Sequence, residues 1–391
     1  MSELLESRWQ ETKGALLEGL NGNKKAVMSA TLENTRKHLM ETATAGATSA
    51  GNVATLNRVI LPVIRRVMPT VIANELVGVQ PMTGPVGQIH TLRVRYSDTA
   101  GTGASGAVAG EEALSPFKIA QAYSGDTTNA TADATASLEG SAGNQLSIQI
   151  LKQTVEAKSR KLSARWTFEA AQDAQSQHGI DVEAEIMAAL AQEITAEIDQ
   201  EILASLRTLS GTAVETYDQA AVSGTATFVG DEHAALAVQI NRAANLIAQR
   251  TRRGAGNFAV VSPFALTVLQ SATTSAFART TEGAFEAPTN TKMVGTLNNA
   301  MRIYVDTYAS DSTDVLVGYK GSSESDAAAF YCPYIPLMSS GVVLDPDTME
   351  PVVSFMTRYG YLELANAASS LGNAADYVET IGINTANLKF F

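Results

Sequence analysis

The stretch IDVEAEIMAALAQEITAEIDQEILASL, residues 180–206, has the periodicity of one long helix. Ile186, Leu190, Ile194, Ile198 and Ile202 recur at every fourth position, and Met187, Leu203 and Leu206 widen the stripe. Apolar residues at that spacing line one face of a helix and predict that this face lies in a core. The opposite face is lopsided: residues 181–201 hold seven acids and no Lys or Arg. Acids at the start complement the helix dipole, whereas those past the middle gain nothing from it. The later acids are therefore expected either to meet a basic surface or to face water.

On the N-terminal side, residues 88–96 alternate, with Leu92, Val94 and Tyr96 on one face and Thr91, Arg93 and Arg95 on the other, which predicts a strand. A second alternating run occupies 146–161, where Glu156, Lys158 and Arg160 share a face. Residues 98–145 between them are dominated by Gly, Ala, Ser, Thr and Asp, and are expected as an extended loop on a hairpin. Residues 1–41 carry six basic and six acidic side chains, with Leu16, Leu20 and Val27 at helical spacing. The tract Thr42–Gly51 has no core-forming side chain and reads as a linker. Leu56–Pro69 is a short amphipathic stretch bounded by prolines.

On the C-terminal side, a second helix is expected from about Glu232 to Arg253, with cations in its last turn and Gly254 at the C′ position. Phe258–Val261, Ile303–Val305 and Val315–Val317 read as short strands, with turns at Pro333, Pro336 and Asp345-Pro346-Asp347. The fold class is α+β, with no visible repeat.

Composition narrows the function. Forty acidic against twenty-eight basic residues give a net charge of −12, a poor balance for gripping nucleic acid over a broad face. Charged residues are only 17%, consistent with a surface largely covered by other subunits. The single cysteine, Cys332, excludes an intrachain disulfide and any multi-cysteine metal cluster, and its aromatic neighbours suit a buried, inert thiol. The charged N-terminus lacks the apolar core of a signal peptide, and no apolar run is long enough to span a membrane.

No catalytic, cofactor-binding or metal-binding residue emerges. His38, His90, His178 and His233 are isolated from one another, and no His-Glu-x-x-His or Cys-x-x-Cys spacing occurs. Gly101–Gly106 matches Gly-x-Gly-x-x-Gly, but lies in a Gly/Ala-rich tract without the helix and later acid that a dinucleotide site requires. Asp345-Pro346-Asp347 reads as a turn rather than a calcium loop, and Arg252 and Arg253 as helix-terminal cations rather than phosphate ligands.

Four segments carry a family likeness. Val71-Ile72-Ala73-Asn74-Glu75-Leu76-Val77-Gly78-Val79-Gln80-Pro81-Met82-Thr83-Gly84-Pro85-Val86-Gly87-Gln88 resembles a segment of the major capsid proteins of T-even-type myoviruses. Val155–Leu162, Thr251–Phe258 and Thr357-Arg358-Tyr359-Gly360 are similar to the same family, in the same order. The resemblance implies the tailed-phage capsid fold: an N-terminal arm, an extended two-stranded E-loop, a peripheral domain built on a long spine helix, and an axial domain. Mapped on this chain, it implies a helical extension at 1–41, an arm and entry to the peripheral domain at 42–84, and the E-loop at 85–165. The spine helix and peripheral domain then fall at 166–230, the axial domain at 231–365, and a return to the peripheral domain at 366–391. Longer relatives carry a folded insertion in the E-loop, and only the polar tract 98–145 stands in its place.

The resemblance also implies cutting by a prohead protease after Glu in a Leu/Ile-x-Glu sequence. Leu4-Leu5-Glu6, Leu16-Leu17-Glu18 and Leu39-Met40-Glu41 all fit, and only the last falls at the junction with the linker, so the cut is expected between Glu41 and Thr42. The implied partners are the chain itself in hexameric capsomers, with vertex protein, scaffold, prohead protease, portal and decoration proteins around it. DNA would be enclosed without sequence-specific binding, in the virion capsid, after assembly in the host cytoplasm. No membrane and no cofactor is implied. Opposed charges suggest how subunits meet: Lys152, Lys158, Arg160, Lys161 and Arg165 of the hairpin are expected to contact Glu193, Glu197 and Glu201 on a neighbour's helix. The alternatives are a vertex paralogue of the same fold and an Ala-rich α+β enzyme, which would show a pocket of converging polar groups.

Overall fold

A computed structural model describes residues 9, 13, 14, 17, 25–34, 72–101, 106–111, 113, 123–126, 131–140, 143–178, 181–222, 229–272, 277–279, 292–298, 300–364 and 374–388. Glu41, Thr42 and the stretch Leu56–Pro69 lie outside these residues. The chain divides into two compact units: residues 1–87, 155–203 and 330–362 form unit 1, and residues 88–154, 204–329 and 363–391 form unit 2.

The long helix expected at 180–206 is present as Val182–Ser210. Asp181 caps it, accepting the Glu183 and Ala184 amides at 3.1 and 3.4 Å, which satisfies donors that the first turn leaves free. Leu190, Ile194, Ile198, Ile202, Leu203 and Leu206 are buried, as the period demands. One of the seven acids is not on the polar face. Asp199 is buried at 2% exposure and accepts the Ile72 amide at 2.9 Å, fastening the helical turn Ala73–Leu76 to the long helix.

The sheet of unit 1 runs Gly78–Val79, Ala329–Ser339, Pro351–Glu363, Val343–Leu344, with Lys158–Arg165 pairing antiparallel along Pro351–Glu363. Pro333 and Pro336 therefore sit inside a strand, not at turns. Their ring angle suits extended backbone, and Pro333 loses only a donor: its carbonyl still accepts the Met82 amide at 3.0 Å. The turn at Asp345 is where the sequence puts it, closed by the Met349 amide on the Asp345 carbonyl at 2.8 Å.

Unit 2 holds a seven-stranded mixed sheet in the order Glu215–Tyr217, Val378–Ile383, Val315–Gly318, Phe258–Val261, Met301–Val305, Lys292–Leu297, Phe277–Arg279. The helix Val229–Thr251 buries Leu236, Ile240, Ala243, Ala244 and Ile247 in the core of this unit, at the i, i+4, i+7 spacing of an amphipathic helix. Its end differs from expectation. Arg252, with φ 48°, takes the left-handed position assigned to Gly254, and its amide caps the Ala248 carbonyl at 2.8 Å. Gly254 is needed for another reason: a β-carbon there would lie 2.6 Å from the Tyr319 ring.

Strand pairing explains how each compact unit is composed. Residues 330–362 belong to unit 1 because Pro351–Glu363 pairs with Lys158–Arg165. Residues 363–391 belong to unit 2 because Val378–Ile383 lies between Glu215–Tyr217 and Val315–Gly318.

The hairpin is present as Val86–Tyr96 paired with Leu146–Glu156. The tract it carries is more than an extended loop. Ala100 and Ala107 pair, and both are buried with Tyr123, whose ring packs on Tyr96 at 4.5 Å between centroids. Small side chains let two tyrosines supply nearly all the apolar area of this cluster, so low hydrophobicity did not prevent a local fold.

Candidate assembly surfaces

Three of the four family-like segments meet in unit 1. Arg160 stands opposite Thr357, Ser159 opposite Arg358 and Lys158 opposite Tyr359 in the antiparallel ladder. A β-carbon on Gly360 would meet Val155 Cγ2 at 2.5 Å, and Met82 Cε lies 3.4 Å from the same point. Above this junction Arg160 binds the long helix of its own chain. Its Nε donates to Tyr359 Oη at 2.6 Å, one terminal nitrogen donates to Glu197 at 2.7 Å and the other to Glu201. Tyr359 Oη in turn donates to Glu201 at 2.5 Å. Burial alone would raise the Glu201 pKa, but hydrogen bonds from Arg160 and Tyr359 outweigh it and hold the carboxyl below its ordinary value.

The opposed charges read from the sequence thus come together within one chain at Arg160, Glu197 and Glu201. Arg165 also has a partner in its own chain, Glu350 at 3.7 Å. Lys152, Lys158, Lys161 and Glu193 are exposed. A charged contact with a neighbour therefore has these four to draw on. Lys161 borders an apolar recess of about 460 Å³ lined by Leu162, Met338, Phe355 and Met356.

A second feature of the hairpin is apolar. Leu146, Ile148 and Ile150, alternate residues of one strand, are 52%, 68% and 67% exposed, and Leu92 on the paired strand is 66% exposed. Unit 1 shows a patch of the same character in Phe168, Val342, Val343, Leu344 and Met349, all exposed. Contiguous apolar surface of this kind marks contact sites. The alternation Leu146–Ile148–Ile150 stands in the sequence, but reasoning from charge passed over it.

The family model described as "Major capsid protein Gp23" matches residues 53–383. The chain belongs to this family. It is 29% identical to the major capsid protein of Vibrio phage KVP40, over 88% of this chain and 84% of the relative. It is 30% identical to that of Enterobacteria phage T4, over 81% of this chain and 76% of the relative. A solved structure from Microbacterium phage Oxtober96 matches with a TM-score of 0.47 at 10% identity, covering 80% of this chain and 90% of that one. That likeness is too remote to carry an argument.

As a member of this family the chain is a structural capsid protein with an α+β fold, located in the virion capsid, and not an enzyme. Its reactive residue types sit in structural roles. Cys332 is buried at 1% exposure, which pushes its thiol up to about 11 and keeps it protonated at neutral pH. His233 is fully buried with Nδ1 2.5 Å from Ser271 Oγ, and Ser271 donates to its own helix at Val268 O, so the serine is held rather than poised. Among the described residues no group of three or more His, Cys, Asp or Glu could hold a metal.

Proposed function

We propose that this chain assembles into hexameric capsomers, and pentamers where required, that form the icosahedral head enclosing phage DNA. The observation that carries this reading is the exposed apolar stripe Leu92, Leu146, Ile148 and Ile150 on the hairpin, in a family that builds capsids. The hairpin acts as the E-loop, unit 1 with the first part of the long helix as the peripheral domain, and unit 2 as the axial domain. The hairpin of one subunit lies on unit 1 of the next, with Lys152, Lys158, Lys161 and Glu193 setting register and the apolar stripe supplying affinity. Repetition of a modest contact around closed rings makes the shell strong.

Residues 1–41 contact scaffold in the precursor shell, and a prohead protease cuts the chain after Glu41. Vertex protein and portal complete the shell, decoration proteins bind its exterior, and assembly takes place in the host cytoplasm. The net charge of −12 repels the packaged genome rather than binding it. Co-expression with scaffold and protease, followed by negative-stain microscopy and intact mass, tests the reading. Shells, tubes or hexameric rings whose subunit begins at Thr42 are expected. A uniform monomer or dimer under all those conditions contradicts assembly, and assembled chains that retain Met1 contradict the cut.

A further inference from the structure

The N-terminal segment is packed on the body of its own subunit. Residues 25–34 form a helix whose Val27, Met28 and Leu32 are buried at 4%, 2% and 1% exposure. At its end Asn34, also buried, donates through Nδ2 to the Met82 carbonyl at 2.6 Å and to the Tyr334 carbonyl at 3.2 Å. Those carbonyls belong to segments 48 and 300 residues away in sequence, so one side chain joins three parts of unit 1. Glu33 gathers the preceding segment onto the same helix, accepting from Trp9 Nε1 at 3.0 Å and pairing with Lys13 at 3.8 Å. The far end of the intervening chain is fixed to the same unit, where Asp199 holds the Ile72 amide. Both anchors are non-covalent, and Glu41 lies in the chain between them.

We propose that residues 25–34 are a strap seated on unit 1, so that a cut after Glu41 severs the chain without releasing the strap. The Met82 and Tyr334 carbonyls, and the apolar surface beneath Val27, Met28 and Leu32, are uncovered only when the strap is displaced. Maturation then has two separable steps, scission and displacement. The biological setting rests on the cut proposed above, but the strap itself does not.

Displacement leaves two backbone acceptors without their donor and exposes three apolar side chains, each opposing departure. The test uses the full chain with a recognition site for a sequence-specific protease inserted within residues 42–51. After cleavage, gel filtration and intact mass report whether the N-terminal fragment travels with the body. Retention is expected, and release of the fragment should be about tenfold or more faster for Asn34→Ala, in proportion to the loss of two hydrogen bonds to backbone carbonyls. Met28→Ala should speed release by a similar factor through lost burial. Thermal unfolding of each uncut variant confirms that it folds, and Asn34→Ala alone decides the matter if Met28→Ala does not. Separation of the wild-type fragment at the first gel-filtration pass overturns the strap, as does equal retention by wild type and a folded Asn34→Ala variant. Because the cut is engineered, a failure here is distinct from a failure of the natural cut or of shell assembly.

Discussion

Replacing Ile148 and Ile150 together by Glu should yield a folded subunit that no longer builds shells. Both side chains are about two-thirds exposed in the single chain, at 68% and 67%, so the core loses almost nothing when they change. In the proposed capsomer contact they are covered, each contributing on the order of 1–2 kcal/mol of apolar burial. The charged replacements add a desolvation cost wherever the surface closes. Since about 1.4 kcal/mol is a factor of ten in an equilibrium constant, the concentration needed for assembly should rise by well over tenfold. Sedimentation of variant and wild-type subunits measures this. Normal particle yield from the double variant would show that the stripe is not the contact.

Removing the cation of a buried ion pair should have the second large effect, this time on folding. Glu379 lies in the strand Val378–Ile383, its side chain is 2% exposed, and Arg250 holds it at 2.5 Å. Arg250→Met leaves that carboxylate buried without its cation, which costs about 3–5 kcal/mol. A fall of roughly 10 °C in the unfolding transition is the corresponding signal. Adding Glu379→Gln should restore most of the loss, because the cost is that of a stranded charge rather than of a missing contact. Thermal denaturation of the two single variants and the double variant measures the coupling. A change below about 1 kcal/mol in Arg250→Met would mean that solvent or another group satisfies Glu379.

Local periodicity made much of this fold legible. The long helix, the helix Val229–Thr251, both hairpin strands and the short strands at Phe258, Met301 and Val315 all follow from spacing of apolar residues, because burial of one face acts on every residue of an element. What spacing does not encode is which polar residue is turned inward. Asp199 is one of six acids on its helix, and only its meeting with the Ile72 amide, 127 residues away, makes it a core residue. Arg160 is a similar case. A basic strand and an acidic helix suggested complementary surfaces, but nothing local shows that they meet within one chain, across separations of 37 and 41 residues.

The misplaced turns have a common origin in residue preference. Pro333 and Pro336 favour turns on average, yet the ring angle fits a strand and the ladder around Pro333 uses its carbonyl. Arg252 occupies a left-handed position where glycine is preferred, while Gly254 answers to the Tyr319 ring instead. For Pro333 and Gly254 a tertiary contact decided the residue's role. Of the proposed assembly surface, the charged residues are legible in the sequence, whereas Leu146, Ile148 and Ile150 stand out only through their exposure.

The most direct measurement is a cryo-electron microscopy reconstruction of the assembled particle at a resolution that shows side chains. Leu92, Leu146, Ile148 and Ile150 of each subunit should be buried against unit 1 of a neighbouring copy, with Arg160 still bound to Glu197 and Glu201 of its own chain. A particle in which that stripe faces solvent, or in which Arg160 reaches across to a neighbour's helix, would contradict this picture of how the shell is held.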